Sequence, residues 1–360
     1  MIQAPDYIRA IQPYVPGKPI EELERELGIS HSIKLASNEN PLGPSPMATA
    51  AIRDVFGDLN RYPDGAGYYL KKALSDKLGV SEDELILGNG SNELLDIAAR
   101  TFLTAGDEAI MGAPSFVVYR MAVQSVGGTS VQVPLKDHIH DLAAMADAIT
   151  PRTRMLFLAN PNNPTGTYNA GSEFDQLMKK AHEDMLVVVD EAYYEYVTAA
   201  DYADSMKHFR AGRNILILRT FSKIYGLAGL RIGYGIAKRE VLADMNRLRE
   251  PFNTSSLSQK AALAALDDKA HVTRSRETNN AGKQYLYQEL KTLGISCVPT
   301  EANFIYIPMD DSMAVYNSLL KKGVIIRPMG PGAIRVTIGL PEENRRFIEA
   351  LRSVISDSLP

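Results

Sequence analysis

Lys223 has the setting of an amine that does carbonyl chemistry. It closes Thr220-Phe221-Ser222-Lys223, just after the apolar run Ile215-Leu216-Ile217-Leu218. Arg231 follows eight residues later, inside Gly226-Leu227-Ala228-Gly229-Leu230-Arg231-Ile232-Gly233. A lysine at a strand end can hold an aldehyde cofactor as a Schiff base. The hydroxyls of Thr220 and Ser222 and the guanidinium of Arg231 suit that cofactor's phosphate.

Three polar clusters share this placement after apolar runs, where open α/β sheets bind ligands. Gly88-Asn89-Gly90-Ser91-Asn92-Glu93 lies between Leu85-Ile86-Leu87 and a helical pattern from Leu94 to Phe102. Free backbone N–H groups at such a helix start hold phosphate; a Gly-rich turn with an ordinary Asn or Ser cap gives the same letters. Glu93 stands where a dinucleotide fingerprint needs glycine, which disfavours that motif. Asn160-Pro161-Asn162-Asn163-Pro164-Thr165-Gly166 is a turn by composition, or a rigid mount for an amide that donates to a cofactor phenolate. Asp190-Glu191-Ala192-Tyr193 follows Leu186-Val187-Val188-Val189, and a carboxylate at a buried strand end needs a partner. That partner is a structural cation, a metal ion or a protonated pyridine nitrogen. No histidine or acidic cluster accompanies it at ligand spacing, which weakens the metal reading. Keeping the pyridine protonated makes the ring an electron sink for a carbanion at a substrate Cα. Asn163, Asp190, Lys223 and Arg231 occur in this order, each at a strand end or in the loop after it. Together they point to pyridoxal 5'-phosphate (PLP).

These groups need a frame. Leu85-Leu87, Glu108-Met111, Ser130-Val133, Arg154-Leu158, Leu186-Val189 and Ile215-Leu218 read as strands, several about thirty residues apart with helical patterns between, the rhythm of βαβ crossovers. Fully apolar strands imply an α/β fold with a mostly parallel central sheet, covered on both faces. A long helical stretch from Ser258 toward Leu290 then leads to strand-like Phe304-Ile307, Val324-Ile326 and Ile334-Ile338 and a closing helix. This reads as a smaller α+β domain. The expected division is an arm over 1–45, with a helix over Ile20-Leu27 that stops at Gly28, a large cofactor-binding domain over 46–255 and a small domain over 256–360.

The chain has 360 residues, a net charge of −4 and a pI near 5.9, which gives no reason to expect nucleic acid or an anionic membrane as partner. Cys297 is the single cysteine, so no intrachain disulfide forms and a reducing compartment fits. There is no signal-peptide h-region and no membrane-length apolar run. Cytoplasmic residence is the expectation. Asp137-His138-Ile139-His140-Asp141 has metal-ligating residue types, but no third distant ligand is apparent; it reads as an exposed polar loop, and no metal is expected.

The chain resembles the fold-type I PLP aminotransferases of class II, and among them the histidinol-phosphate aminotransferase family. The resemblance runs from Tyr14-Val15-Pro16-Gly17-Lys18 through Leu35-Ala36-Ser37-Asn38-Glu39-Asn40-Pro41, Arg61-Tyr62-Pro63-Asp64-Gly65, Asn162-Asn163-Pro164-Thr165-Gly166, Asp190-Glu191-Ala192-Tyr193 and Ser222-Lys223 to Ile334-Arg335-Val336-Thr337. It implies that Lys223 tethers the cofactor and then moves the proton of the 1,3-shift. Asp190 would pair with the pyridine nitrogen. Asn163 and Tyr193 would bond the ring 3-oxygen, and Phe116, where the family often has tyrosine, would stack on the ring. Ser91, Asn92, Thr220, Ser222 and Arg231 would surround the phosphate, with Tyr62 reaching it from the neighbouring subunit of a homodimer. Tyr14, Asn38, Arg327 and Arg335 would bind substrate. The implied reaction passes an amino group between L-histidinol phosphate and 2-oxoglutarate. Aromatic amino acid aminotransferases and threonine-phosphate decarboxylases share the resemblance and stand as alternatives. A PLP-binding regulator is disfavoured, because the first 45 residues show no basic helix and no room for helix-turn-helix plus linker.

Overall fold

A computed structural model describes residues 2–356. The outermost residues of the expected division, Met1 and 357–360, lie outside it. Twelve strands are described: β1 (Ile33–Lys34), β2 (Leu85–Gly88), β3 (Glu108–Ala113), β4 (Thr129–Pro134), β5 (Thr153–Ala159), β6 (Leu186–Asp190), β7 (Ile215–Thr220), β8 (Gly233–Ile236), β9 (Phe304–Pro308), β10 (Val324–Ile325), β11 (Arg327–Pro328) and β12 (Ala333–Thr337).

Seven of them form the central sheet in the order β2-β8-β7-β6-β5-β3-β4. Neighbours from β7 to β4 are parallel, and β8 runs against both β2 and β7. The side chains of β6 and β7 are buried throughout, as expected of strands with helices on both faces. Alternate residues feed opposite cores: Leu156, Val187, Ile215 and Ile217 go to one side, Phe157, Val188, Leu216 and Leu218 to the other. Each expected strand of this sheet is present. β8 is the strand the sequence reading missed. Gly-Tyr-Gly-Ile has no apolar run and sits in a stretch read as a phosphate loop.

A three-stranded sheet, β11-β12-β9, has its own core around Leu286, Ile305, Ile334, Val336 and Phe347. Arg327-Pro328 is a short strand that pairs Arg327 opposite Arg335. β1 pairs in parallel with β10 as a separate two-stranded sheet, and Leu35 and Val324 share the core of the three-stranded sheet, which ties the arm to it. The arm's helix Ile20–Leu27 ends at Gly28 in the left-handed conformation, as its sequence implies. The helical stretch after residue 255 is two helices, Ser256–Asp267 and Lys269–Thr292. Asp268 separates them; its carboxylate caps the second by accepting from the His271 N–H at 3.0 Å. The first buries Ala261, Ala262, Ala265 and Leu266 in the core of the large sheet, although a boundary at 255 assigns it to the small domain.

Candidate active site

The sheet's connectivity brings the chemistry together. β2, β3, β5, β6 and β7 end on one edge, and β8 begins there. Ser91 and Asn92 follow β2, Phe116 follows β3, Asn163 follows β5, Asp190 ends β6, Thr220 ends β7 with Ser222 and Lys223 just after it, and Arg231 precedes β8. All of them line one cavity of ≈ 570 Å³, with Tyr14, Asn38, Tyr193, Arg327 and Arg335. Of the expected site residues, Tyr62 alone does not line it. Tyr62 is 82% exposed and stacks on Phe252 at 4.7 Å.

One end of the cavity is built for an anion. Gly90 N-caps helix Ser91–Phe102 without a side-chain cap bond, which leaves the first-turn N–H groups without a capping side chain among the described residues. Ser222 Oγ accepts from Arg231 Nη1 at 3.2 Å and from Thr220 Oγ1 at 2.9 Å. A Cβ at Gly90, whose φ is +74°, would stand 2.3 Å from Arg231 Nη2. Only glycine lets the guanidinium lie against this helix start.

The other end holds a buried carboxylate. Asp190 is 6% exposed and accepts from Tyr119 Oη at 2.9 Å and the Ala192 N–H at 3.2 Å. Burial lifts its pKa to about 6, against these bonds and the charge of Lys223. A positively charged ring nitrogen offsets that penalty. Between the two ends, Lys223 Nζ finds only a carbonyl among the described residues, Ser37 O at 3.3 Å, and lies 5.6 Å over the Tyr193 ring. Burial, then the charge of Arg335, lowers its pKa to about 8. A cation-seeking acid, a lysine without a carboxylate in hydrogen-bond reach and a helix start without a side-chain cap fit the nitrogen, aldehyde and phosphate of PLP.

Five cationic side chains (Arg120, Lys223, Arg231, Arg327 and Arg335) and two carboxylates (Glu39 and Asp190) line the cavity. That excess favours anionic ligands beyond the cofactor phosphate. Arg335 is 8% exposed; it donates to Asn163 Oδ1 at 2.5 Å and Ala36 O at 2.8 Å, and its Nε has no partner among the described residues. A buried guanidinium without a carboxylate calls for an anion. Arg327 Nη2 donates to Val15 O at 2.7 Å and its guanidinium lies 5.4 Å from the Tyr14 ring centroid. Asn38 lines the cavity, yet both ends of its amide are taken by protein groups.

Tyr119, Arg120 and Thr337 escaped the sequence reading. Tyr119 could have been found as the residue one helical turn after Phe116; the other two carry no local signal. The His138–His140 segment also differs from expectation. Asp137 and His138 adopt positive φ in a turn closed by a Lys136–Ile139 bridge. His140 is 4% exposed rather than in an exposed loop, and it packs against Gly112. Among the described residues no group of three His, Cys, Asp or Glu side chains could hold a metal.

The model for the aminotransferase class I and II family matches residues 30–351. The chain belongs to this family. Within it, the chain groups with the histidinol-phosphate aminotransferases. It is 54% identical to the histidinol-phosphate aminotransferase of Moorella thermoacetica over 97% of this chain and 92% of that one. It is 48% identical to histidinol-phosphate aminotransferase 1 of Nitrosococcus oceani over 97% of this chain and 96% of that one. The crystal structure of histidinol-phosphate aminotransferase from Sinorhizobium meliloti in complex with PLP superposes with a TM-score of 0.91. It shares 28% identity, over 98% of this aminotransferase and 97% of the other chain.

Proposed function

We propose that this aminotransferase uses PLP to pass the amino group of L-histidinol phosphate to 2-oxoglutarate, yielding imidazole acetol phosphate and L-glutamate, a step of histidine biosynthesis. The observation that carries the reading is the pairing, in one cavity, of an amine without a carboxylate in hydrogen-bond reach, Lys223, with a second anion-seeking group, the buried Arg335. The histidinol-phosphate aminotransferase relatives supply the substrate.

When bound, PLP draws off the electron pair left at a substrate Cα and stores the amino group between half-reactions. Asp190 holds the ring nitrogen's proton in place, and Tyr119 orients that carboxylate. Asn163 and Tyr193 donate to the ring oxygen. Phe116 covers a face of the ring. The N–H groups at Ser91 and Asn92, with Thr220, Ser222 and Arg231, grip the phosphate. Lys223 Nζ tethers the cofactor at rest and carries the proton to and from the substrate Cα during turnover. Arg335, with Arg327 and Tyr14 beside it, takes the substrate's phosphate or carboxylate, for which a planar guanidinium offers paired donors.

The same reading makes the enzyme a cytoplasmic homodimer, in which Tyr62 reaches the neighbour's cofactor phosphate, and divides the chain into arm, large and small domains. Exposed apolar side chains surround Tyr62 in the sequence: Phe56, Leu59, Tyr68 and Tyr69, with Phe252 stacked on it. These exposed apolar side chains near Tyr62 support the dimer reading. Among the described residues no helix is long and apolar enough to cross a membrane. The test is to incubate the PLP-loaded protein with histidinol phosphate and 2-oxoglutarate. Glutamate should accumulate, with a higher kcat/KM than for phenylalanine or tyrosine as donor. No glutamate, or CO2 release without need of an oxo acid, would defeat the proposal.

A further inference from the structure

Asn38 is 1% exposed and sits at φ 56°, a left-handed conformation that asparagine and aspartate tolerate better than other side chains. Its bonds have a fixed direction. The Asn38 backbone N–H donates to Thr337 Oγ1 at 2.9 Å, and that hydroxyl donates back to Asn38 Oδ1 at 3.3 Å. The side-chain oxygen is thereby taken. Nδ2, which can only donate, then points at Tyr193 Oη, 2.8 Å away. Asn303 Nδ2 donates to the Asn38 carbonyl at 3.0 Å and holds the peptide in place.

Tyr193 Oη therefore accepts from the protein, and its own proton has no protein acceptor among the described residues. Tyr193 lines the cavity, and burial lifts its pKa to about 12, so at neutral pH the proton stays on the oxygen. Asn163 is wired alike. Arg335 Nη1 occupies its Oδ1 at 2.5 Å, which leaves Nδ2 as the free donor. Tyr119 shows the contrast: its hydroxyl is spent on Asp190.

We propose that Asn38, locked by Thr337, is a positioning residue that forces Tyr193 to act as a hydrogen-bond donor into the cavity, toward the ring oxygen of the bound cofactor. The proposal rests on the functional reading above. It also gives Asn38 a task other than touching substrate. Donation to the ring oxygen stabilises its anionic form and lowers the pH at which the nitrogen joining cofactor to Lys223 loses its proton.

The test is a pH titration of the visible absorbance of the PLP-loaded protein, with no substrate present. Asn38→Asp keeps the size and the left-handed preference but only accepts, so Tyr193 turns its proton to the new carboxylate. The titration midpoint should rise by about one pH unit. Tyr193→Phe should raise it similarly, and Asn38→Asp in the Tyr193→Phe background should add little. Thr337→Val frees the amide to rotate and should give a smaller rise in a protein that keeps its asparagine. An unmoved midpoint in Asn38→Asp or Thr337→Val overturns the proposal. So does an equal rise from Asn38→Asp in both backgrounds, the mark of a bare through-space charge. Failure of the functional reading looks different: histidinol phosphate and 2-oxoglutarate would then give no glutamate, while this titration, run without substrate, would keep its wild-type midpoint and its response to Asn38→Asp.

Discussion

At the residue scale, Lys223 carries the account, and its surroundings make two predictions. Lys223→Ala should lower kcat by at least about a thousandfold, since the group both tethers and moves a proton. The variant should still bind PLP non-covalently through the phosphate shell, which equilibrium dialysis would show. The second prediction concerns pH. The neutral amine is the form that attacks an aldehyde, and the lysine's pKa falls from 10.5 to about 8 because it is buried beside Arg335. The rate of PLP capture by cofactor-free protein should therefore climb with pH around a midpoint near 8, followed by stopped-flow absorbance. A midpoint near 10.5 would show an ordinary solvated lysine. Lys223 and Asp190 were legible in the sequence because each ends or closely follows an apolar strand, where its polarity stands out, and Arg231 because it is a cation in the Gly-rich loop after Lys223. The work of Asn38 was not. Its partners Tyr193 and Thr337 lie 155 and 299 positions away, and a bond across that distance leaves no local pattern.

At the scale of elements, the phosphate end depends on how closely helix Ser91–Phe102 approaches the loop before β8. Gly90→Ala would place a methyl 2.3 Å from Arg231 Nη2, at a φ that alanine resists. We expect PLP to dissociate at least about tenfold more readily, measured by fluorescence titration, with little change in melting temperature. The strand ends also need support from behind. Glu191, next to Asp190, is paired with Arg219 of β7 at 2.8 Å, and both are buried. Arg219 also lies 3.7 Å over the Tyr194 ring. Arg219→Met would leave Glu191 as an uncompensated buried charge and should cost about 3–5 kcal/mol in chemical denaturation. Five of the six parallel strands were readable from their apolar runs, which β4, Thr-Ser-Val-Gln-Val-Pro, lacks. β8 was not, because two of its four residues are glycines and its stability comes from pairing with β2 and β7 on either side.

At the scale of the whole molecule, the cavity is assembled from the large sheet, the arm and the smaller sheet, and the exposed Tyr62 is left outside it. If Tyr62 acts across a dimer, a hybrid of Lys223→Ala and Tyr62→Ala chains owns one site with both native residues. Co-expression of the two variants should give activity well above the mean of the parents. Activity at that mean would show that Tyr62 serves no neighbouring site. The sequence anticipated a central sheet followed by a smaller α+β part through its change of rhythm, but not which core claims helix Ser256–Asp267, since small apolar residues at helical spacing suit either. The most direct test of the central claim is borohydride trapping before and after one amino donor. Without donor, reduction and peptide mapping should put the pyridoxyl group on Lys223. After histidinol phosphate alone, with no oxo acid, Lys223 should be unlabelled and one equivalent of imidazole acetol phosphate should appear per site. A label on another residue, or a label on Lys223 that histidinol phosphate leaves unchanged, would contradict the account.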